Sequence, residues 1–585
     1  MVKTAVDPCY GIVTWQVPSP TYDPDCALPA SCNVTLSLIT HLILGTLCFQ
    51  FEYEVTRLRM PRYRQPNTLT QLALRSLADF VWHIGQQLLG MAVYTPTQKS
   101  GKNFLYSGDL SANSLHDIQE SSQHLSLPEI SNYNWEALQQ FLQPGLPQTL
   151  ANKAASYLID ALARLMKESY SAEVIAHDGS VGIIEMLVLA VVHRHISELV
   201  LHHFPDHLCL ALCKHLHMLT ELKVLKLHAV STKSIKLTIR DFVRSSISSL
   251  RNLVVFIYDK NCTDSILEVM SINCLHLEYL SVMFSKKVTN QSVDSIKKFQ
   301  NLKTLNIWGT YITQHNCSQL LDMLLKLENF VSDQEDIVQG VTKCTLGLKS
   351  LITTNLISPQ LLVTLCPHLT QLTMHGVHCS LNQLTVLTSL QELAVSNCDF
   401  SVIETFLCSR GEQLMFLKLK EVSSVNIKFI TYCAQLKTLH LSVCSYVTDR
   451  DMPFGDLSSL HYKNLQHLTI RGYHLRNFDI LLSAYPKLMT LNLLQVPVLR
   501  NKVIVDAVTA GKWQHLEVVS FNECGCVEVG TLKLLIHNCC NLRKIVYLRT
   551  EDLARSELQE LFMLEHNLKQ NNLDIEMVFQ KETIP

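Results

Sequence analysis

An apolar residue recurs at the first, fourth and sixth places of a short segment, and this frame returns along most of the chain. It reads Leu222-Leu225-Leu227, Leu277-Leu280-Val282, Leu302-Leu305-Ile307, Leu369-Leu372-Met374, Leu414-Leu417-Leu419, Leu436-Leu439-Leu441 and Leu488-Leu491-Leu493, with eight further copies, some partial, between Ile196 and Tyr547. Successive copies lie 21 to 31 residues apart. The last two apolar places alternate, as in a strand that turns one face inward and the other outward. A unit of this size cannot bury its apolar edge alone. Stacking on its neighbours closes one continuous core.

The period predicts an α/β fold, a leucine-rich-repeat solenoid (horseshoe) preceded by a small α-helical docking domain. Segments after the strands, such as 291–300, have the apolar spacing of a return helix. The residues between the apolar places then face the concave side. Asn306, Thr373, Lys418, His440, Thr469, Asn492 and Ser520 are the central outward positions read from the frame, a polar set of mixed charge suited to a peptide or folded protein. His440 is the one least required by the fold.

Of 585 residues, 47% are hydrophobic, enough for a large core. With 49 Lys+Arg against 51 Asp+Glu, no excess of positive charge calls for nucleic acid or an anionic membrane. Many of the twenty cysteines fall where a repeat buries its side chains, among them Cys366, Cys433, Cys444, Cys539 and Cys540, which predicts buried thiols in a reducing compartment rather than a disulfide framework.

The segment 433–452, CAQLKTLHLSVCSYVTDRDM, resembles the cysteine-containing leucine-rich repeat at Cys433, Leu436, Leu439, Leu441, Cys444, Val447, Thr448 and Asp449, and 277–293 is a weaker copy ending in Val288-Thr289-Asn290. That subtype is common in substrate receptors of ubiquitin ligases, so the resemblance implies a second module that docks onto a ligase. Residues 66–80, PNTLTQLALRSLADF, place Leu69, Leu72, Ala73, Ser76, Leu77 and Phe80 along one face of a helix. They resemble the elongin-C-binding box at Thr68, Leu69, Leu72, Ala73 and Leu77, with Ala73 where the family usually has cysteine. By that resemblance Leu69 would fill a pocket on elongin C. Further on, Leu146, Pro147 and Leu150 resemble a cullin box, which would select cullin-2; proline suits the first turn of a helix because its missing N–H has no partner there. The same stretch, with Tyr157 and Leu158, also resembles the start of an F-box, but residues 166–183 lack the Val-Cys-x-x-Trp element that should follow.

The resemblance therefore implies an elongin-BC/cullin-2 substrate receptor of the zyg-11/zer-1-like kind. An F-box receptor using Skp and cullin-1, or a repeat scaffold outside any ligase, are the alternatives. Expected partners are elongins B and C, cullin-2 and a protein substrate. No catalytic residue, cofactor, metal or nucleic acid is expected, because the sequence has no phosphate-binding loop, no His-Glu-x-x-His pair and no nucleophile elbow. The His/Cys-rich run 193–217 spaces His203/His207, Cys209/Cys213 and Cys213/His217 four apart, but its leucines mark it as core. The uncharged stretch 34–51 is expected to be a buried or partner-bound helix rather than a membrane span, and with no secretory leader read at the N-terminus the location is expected to be cytoplasmic and/or nuclear. The expected organisation is an N-terminal segment of uncertain structure (1–60), a helical docking region (61–175) with its boxes at 68–77 and 146–158 and a polar loop at 95–126, repeats over 190–550, and a cap over 551–585 with a helix and final strand.

Overall fold

The computed structural model describes residues 148–168, 178–201, 204–227, 232–445, 464–472, 485–496, 499, 501–524, 527–548, 555–571 and 573–579, with parts of a helix between 71 and 86. Sixteen strands pair in a single sheet, every pair parallel, in the order of the sequence. They begin with β1 (Glu198–Leu201), β2 (Val224–Leu227), β3 (Val255–Tyr258), β4 (Tyr279–Ser281), β5 (Thr304–Asn306), β6 (Asn329–Glu335), β7 (Ser350–Thr354) and β8 (Gln371–His375). The series continues through β9 (Glu392–Asp399), β10 (Phe416–Ser423), β11 (Thr438–Ser442), β12 (His467–Arg471), β13 (Thr490–Leu494), β14 (Val518–Asn522), β15 (Lys544–Leu548) and β16 (Glu576–Phe579). The fifteen frames of the sequence fall on β1 to β15. Such an order, with a helix or loop returning between parallel neighbours, is that of a leucine-rich-repeat solenoid.

The fourth place of the frame builds the spine of the core. Leu225, Phe256, Leu280, Leu305, Phe330, Leu351, Leu372, Leu393, Leu417, Leu439, Leu468 and Leu491 are each paired in register with the next. All are at most 1% exposed. Burying one such side chain contributes about 1.5–3 kcal/mol, so the row is the main reason neighbouring repeats stay in register. Most of the described cysteines join this interior: Cys262, Cys274, Cys366, Cys433, Cys444 and Cys539 are buried thiols, and the Cys444 Sγ–H donates to the Leu419 carbonyl of the preceding repeat at 3.4 Å, but Cys540, expected among them, is exposed.

Two backbone devices turn the chain out of each strand. First, a residue at or within three places of the strand's end has a left-handed conformation in repeat after repeat: Lys260, Phe284, Gly309, Asn355, Gly376, Asn397, Val443, Gly472, Gln495 and Glu523. Most are not glycine. Several present their N–H to the next repeat's carbonyl, as Val443 does to Arg471 at 2.6 Å and Gln495 to Asn522 at 2.8 Å, so the hydrogen-bond ladder extends past the strands and offsets the strain. Second, the Thr-Asp/Asn of the motif ties one helix start to the next. The Asp264 carboxylate accepts from Thr289 N at 2.8 Å, Thr289 Oγ1 at 2.8 Å and Ser292 Oγ, and Asn290 Oδ1 accepts from Thr313 N at 2.9 Å. The matching Thr448 and Asp449 lie outside the described residues.

Two helices precede the sheet, α1 (Gln148–Glu168) and α2 (Asp178–Val191). Leu158, Leu162 and Leu165 of α1 and Leu187, Val188 and Val191 of α2 are buried in the same core cluster as the repeats. The Ser197 N–H donates to Asn152 Oδ1 at 2.8 Å, joining α1 to the entry of β1. Residues 74–79 and 81–83 are helical, and Leu74, Leu77, Ala78 and Val81 are buried, with Asp79 3.5 Å from Arg164 of α1. At the other end α3 (Arg555–Gln570) leads into β16, and Phe562 meets Phe579 edge to face at 5.2 Å, covering the last repeat. No helix among the described residues is long and apolar enough to cross a membrane; the stretch 34–51 lies outside them.

Candidate functional site

The concave side carries three outward residues per strand. Asn306, Thr373, Lys418, His440, Thr469, Asn492 and Ser520 all stand in the central row, and the register joins Thr373 through Ala394 to Lys418, His440, Thr469, Asn492 and Ser520 without interruption. Between Asn306 and Thr373 the row passes through Val331 and Ile352. These apolar positions were open to the same reading of the frame, since only their side chains differ, so the row interleaves polar positions with apolar ones and ends on Val200 and Val578.

Charge is divided along the face. One place before the strands of the N-terminal half, two lysines are matched by acids. Lys303 Nζ meets Glu278 at 2.8 Å and Lys349 Nζ meets Glu328 at 2.9 Å, and hydrogen bonding and attraction to Glu278, helped by Glu328, hold the Lys303 ammonium above its ordinary range. Asp259 accepts from Ser281 Oγ at 2.7 Å and from Met283 N at 2.9 Å. Trp308 lies across the middle of the face with its ring edge to face with His375, centroids 5.2 Å apart, and His375 Nδ1 is hydrogen-bonded to Ser396 Oγ at 2.6 Å.

Strands β10, β11 and β12 form a different surface. Their outward residues make a three-by-three grid: Phe416, Lys418, Lys420; Thr438, His440, Ser442; His467, Thr469, Arg471. None of the nine carries a carboxylate. His440 at the centre packs against Phe416 with centroids 5.3 Å apart. Burial holds its pKa below the ordinary histidine value, and the neighbouring Lys418 and His467 push the same way. His375 is lowered by burial and by Lys420 and Lys418. Both imidazoles are neutral at neutral pH.

Stability should depend on pH as a result. A histidine with a depressed pKa in the folded state binds its proton more tightly when unfolded, so its contribution to stability is present above the unfolded pKa and is lost as pH falls through it. We expect the urea midpoint to fall as pH drops from about 7 to about 5.5, the range of an ordinary histidine, and His440→Gln to flatten that dependence. An unchanged profile in the variant would assign the effect to other groups, His215 included, whose pKa burial also lowers despite Glu185 beside it.

The docking positions fare differently. Leu77 is fully covered, packed with Leu74, Ala78 and Val81 into the chain's own helical core, while Ser76 is exposed. Of the stripe expected through Leu69, Leu72, Ala73, Ser76, Leu77 and Phe80, Leu77 is thus turned inward and Ser76 outward, while Phe80 lies outside the described residues; Leu77 holds the helix in place. Thr68 and Leu69 lie outside the described residues, as do the side chains of Leu72 and Ala73, and Leu146 and Pro147; Leu150 lies in the first turn of α1. Of the His/Cys run, Cys209 and Cys213 are buried in the core and His215 bonds to Glu185 at 3.2 Å, and no cluster of three metal-ligating side chains forms among the described residues.

No protein-family profile and no curated protein matches the chain. Among solved structures, an internalin of Listeria monocytogenes is similar at 13% identity and a TM-score of 0.28, over 73% of this chain and 95% of the internalin. A leucine-rich-repeat protein of Leptospira interrogans is similar at 17% identity and a TM-score of 0.30, over 63% and 98% of the two chains. The complex of Rad7 and Elc1 from yeast is similar at 14% identity and a TM-score of 0.37, over 77% and 97%. These likenesses are of the repeat fold, and the sixteen-stranded parallel sheet itself establishes that the chain is a leucine-rich-repeat solenoid.

Proposed function

We propose that the chain is the substrate-recognition subunit of a cullin-RING ubiquitin ligase, binding a protein substrate on its concave face and joining the ligase through elongins B and C and cullin-2. The observation that carries it is the face itself: polar side chains from repeats far apart in sequence stand in one row, the form of surface that reads another protein over several strands. The docking half of the reading is supported by the box-like residues Leu69, Leu72, Ala73, Leu146, Pro147 and Leu150, which precede the repeats in sequence. In this reading Leu69 is the anchor, since Leu77 serves the internal core. The subunit performs no chemistry; ubiquitin transfer belongs to its partner enzymes.

Purification from cells tests it. Elongin C is expected to come with the protein, and Leu69→Asp is expected to abolish its recovery, as loss of a central apolar anchor does, while the repeat sheet keeps its circular dichroism. Recovery of Skp and cullin-1 instead would move the chain to the F-box class. Recovery of neither would leave a repeat scaffold outside any ligase.

A further inference from the structure

The grid of β10 to β12 has a chemistry of its own. Lys418, Lys420 and Arg471 contribute three cations to nine adjacent positions. Lys420 meets Glu421 at 3.3 Å, but Lys418 has no carboxylate within ion-pair reach among the described residues, and Arg471 bonds to the neutral Gln495, at 3.2 Å. Lys437, one place before β11, adds a further exposed cation at the grid's margin. Lys303 and Lys349, each one place before its strand, are matched by Glu278 and Glu328, and Lys544 on β15 is matched by Glu576 on β16. A sheet surface that gathers three cations, two of them without a carboxylate partner among the described residues, around an aromatic ring and two histidines is complementary to an acidic partner.

Geometry narrows that partner. Lys420 and Arg471 flank Ser442 in one row, two strand spacings apart. That is about 10 Å, since neighbouring strands are about 4.8 Å apart. In a polyproline-type extended peptide, residues three apart point the same way and are separated by roughly 9 Å. A peptide lying across the strands would therefore set carboxylates at positions i and i+3 against Lys420 and Arg471, with the residues between over Ser442 and with Lys418 and His440 in the adjacent row. The cationic area is three strands wide, bordered on one side by Glu392 of β9, with Glu421 beside Lys420 on β10. A nucleic acid, which carries a charge at every step, would meet acid at Glu392 on one side and the neutral Thr490, Asn492 and Leu494 of β13 on the other.

We propose that β10 to β12 form a docking site for an acidic, extended peptide segment of a partner protein, with carboxylates spaced three residues apart. The proposal deepens the substrate-face reading, because it names which part of the face binds and what it binds, and it rests on that reading only for the partner being a ligase substrate.

Fluorescence anisotropy on the full-length protein with a labelled peptide of Glu-Pro-Pro repeats tests it. Saturable binding is expected, absent for the Lys-Pro-Pro counterpart and weakened about tenfold or more by Lys418→Glu combined with Arg471→Glu, as expected when close charge pairs become repulsive. Lys303→Glu, on the matched part of the face, should leave it unchanged. Lys418→Gln, which removes charge without reversing it, should weaken binding in proportion and guards against misfolding of the double variant. The proposal is overturned if the peptide does not bind, if both peptides bind alike, if the charge variants bind like the parent, or if a single-stranded oligonucleotide binds more tightly than the Glu peptide. Elongin C recovery on the same variants separates the two readings: peptide binding without elongin defeats the ligase assignment alone, and elongin recovery without peptide binding defeats the docking site alone.

Discussion

Leu439→Ala is expected to remove about 2–5 kcal/mol of stability, while His440→Ala, the next residue, changes it by less than about 1 kcal/mol. The two side chains leave the same strand in opposite directions. Leu439 is 0% exposed in the spine between Leu417 and Leu468, so truncation opens a cavity bounded by two other repeats that are held in register by their own neighbours and cannot collapse onto it. His440 stands on the concave side against Phe416 and loses only part of a ring contact. In a solenoid the loss should be local first. Amide hydrogen exchange is expected to rise in β10 to β12 before β3 to β5, because each repeat touches only its neighbours. Equal urea midpoints for the two variants, or uniform loss of protection along the sheet, would refute this account of the core.

The spine and the outward row were legible in the sequence for the same reason. Strand alternation has a period of two, so once Leu417, Leu439 and Leu468 are aligned, Lys418, His440 and Thr469 are aligned as well. Charge division was not legible. A net charge of −2 averages over the chain, and the gathering of Lys418, Lys420 and Arg471 appears only when strands 22 to 29 residues apart in sequence are placed side by side. Nor was the left-handed ladder, because the usual signal is glycine and most of its members are Lys, Phe, Asn, Val, Gln or Glu, held there by hydrogen bonds from the adjacent repeat. The helix near Leu77 was legible only in part. Its Leu74, Leu77, Ala78 and Val81 are buried and Ser76, read into the apolar stripe, is exposed, which spacing alone does not decide because apolar residues stand on either side of it.

Glycine is required at Gly472, and substituting it gives the other large effect. Its φ is +125°, a conformation nearly closed to residues with a side chain, and a Cβ there would stand 3.1 Å from Val443 Cα and 3.2 Å from Val443 N. Neither atom can yield, since Val443 is itself left-handed at φ +53° and fixed by its N–H to the Arg471 carbonyl. Gly472→Ala is therefore expected to cost about 1–3 kcal/mol from the backbone alone, with the clash added to it. Gly530→Ala is the contrast: that residue lies in the helix Val529–Asn538, where an added methyl would have nothing within 4 Å, and alanine there should stabilise by about 0.4–1 kcal/mol. Opposite shifts in the urea midpoint are the expected result, and a loss at both positions would mean that steric room and φ do not govern glycine in this solenoid. Because Gly472 follows Arg471 directly, Gly472→Ala should also weaken Glu-Pro-Pro binding even in the fraction that stays folded, whereas Gly530→Ala should not, which links the turn at the end of β12 to the cation it positions.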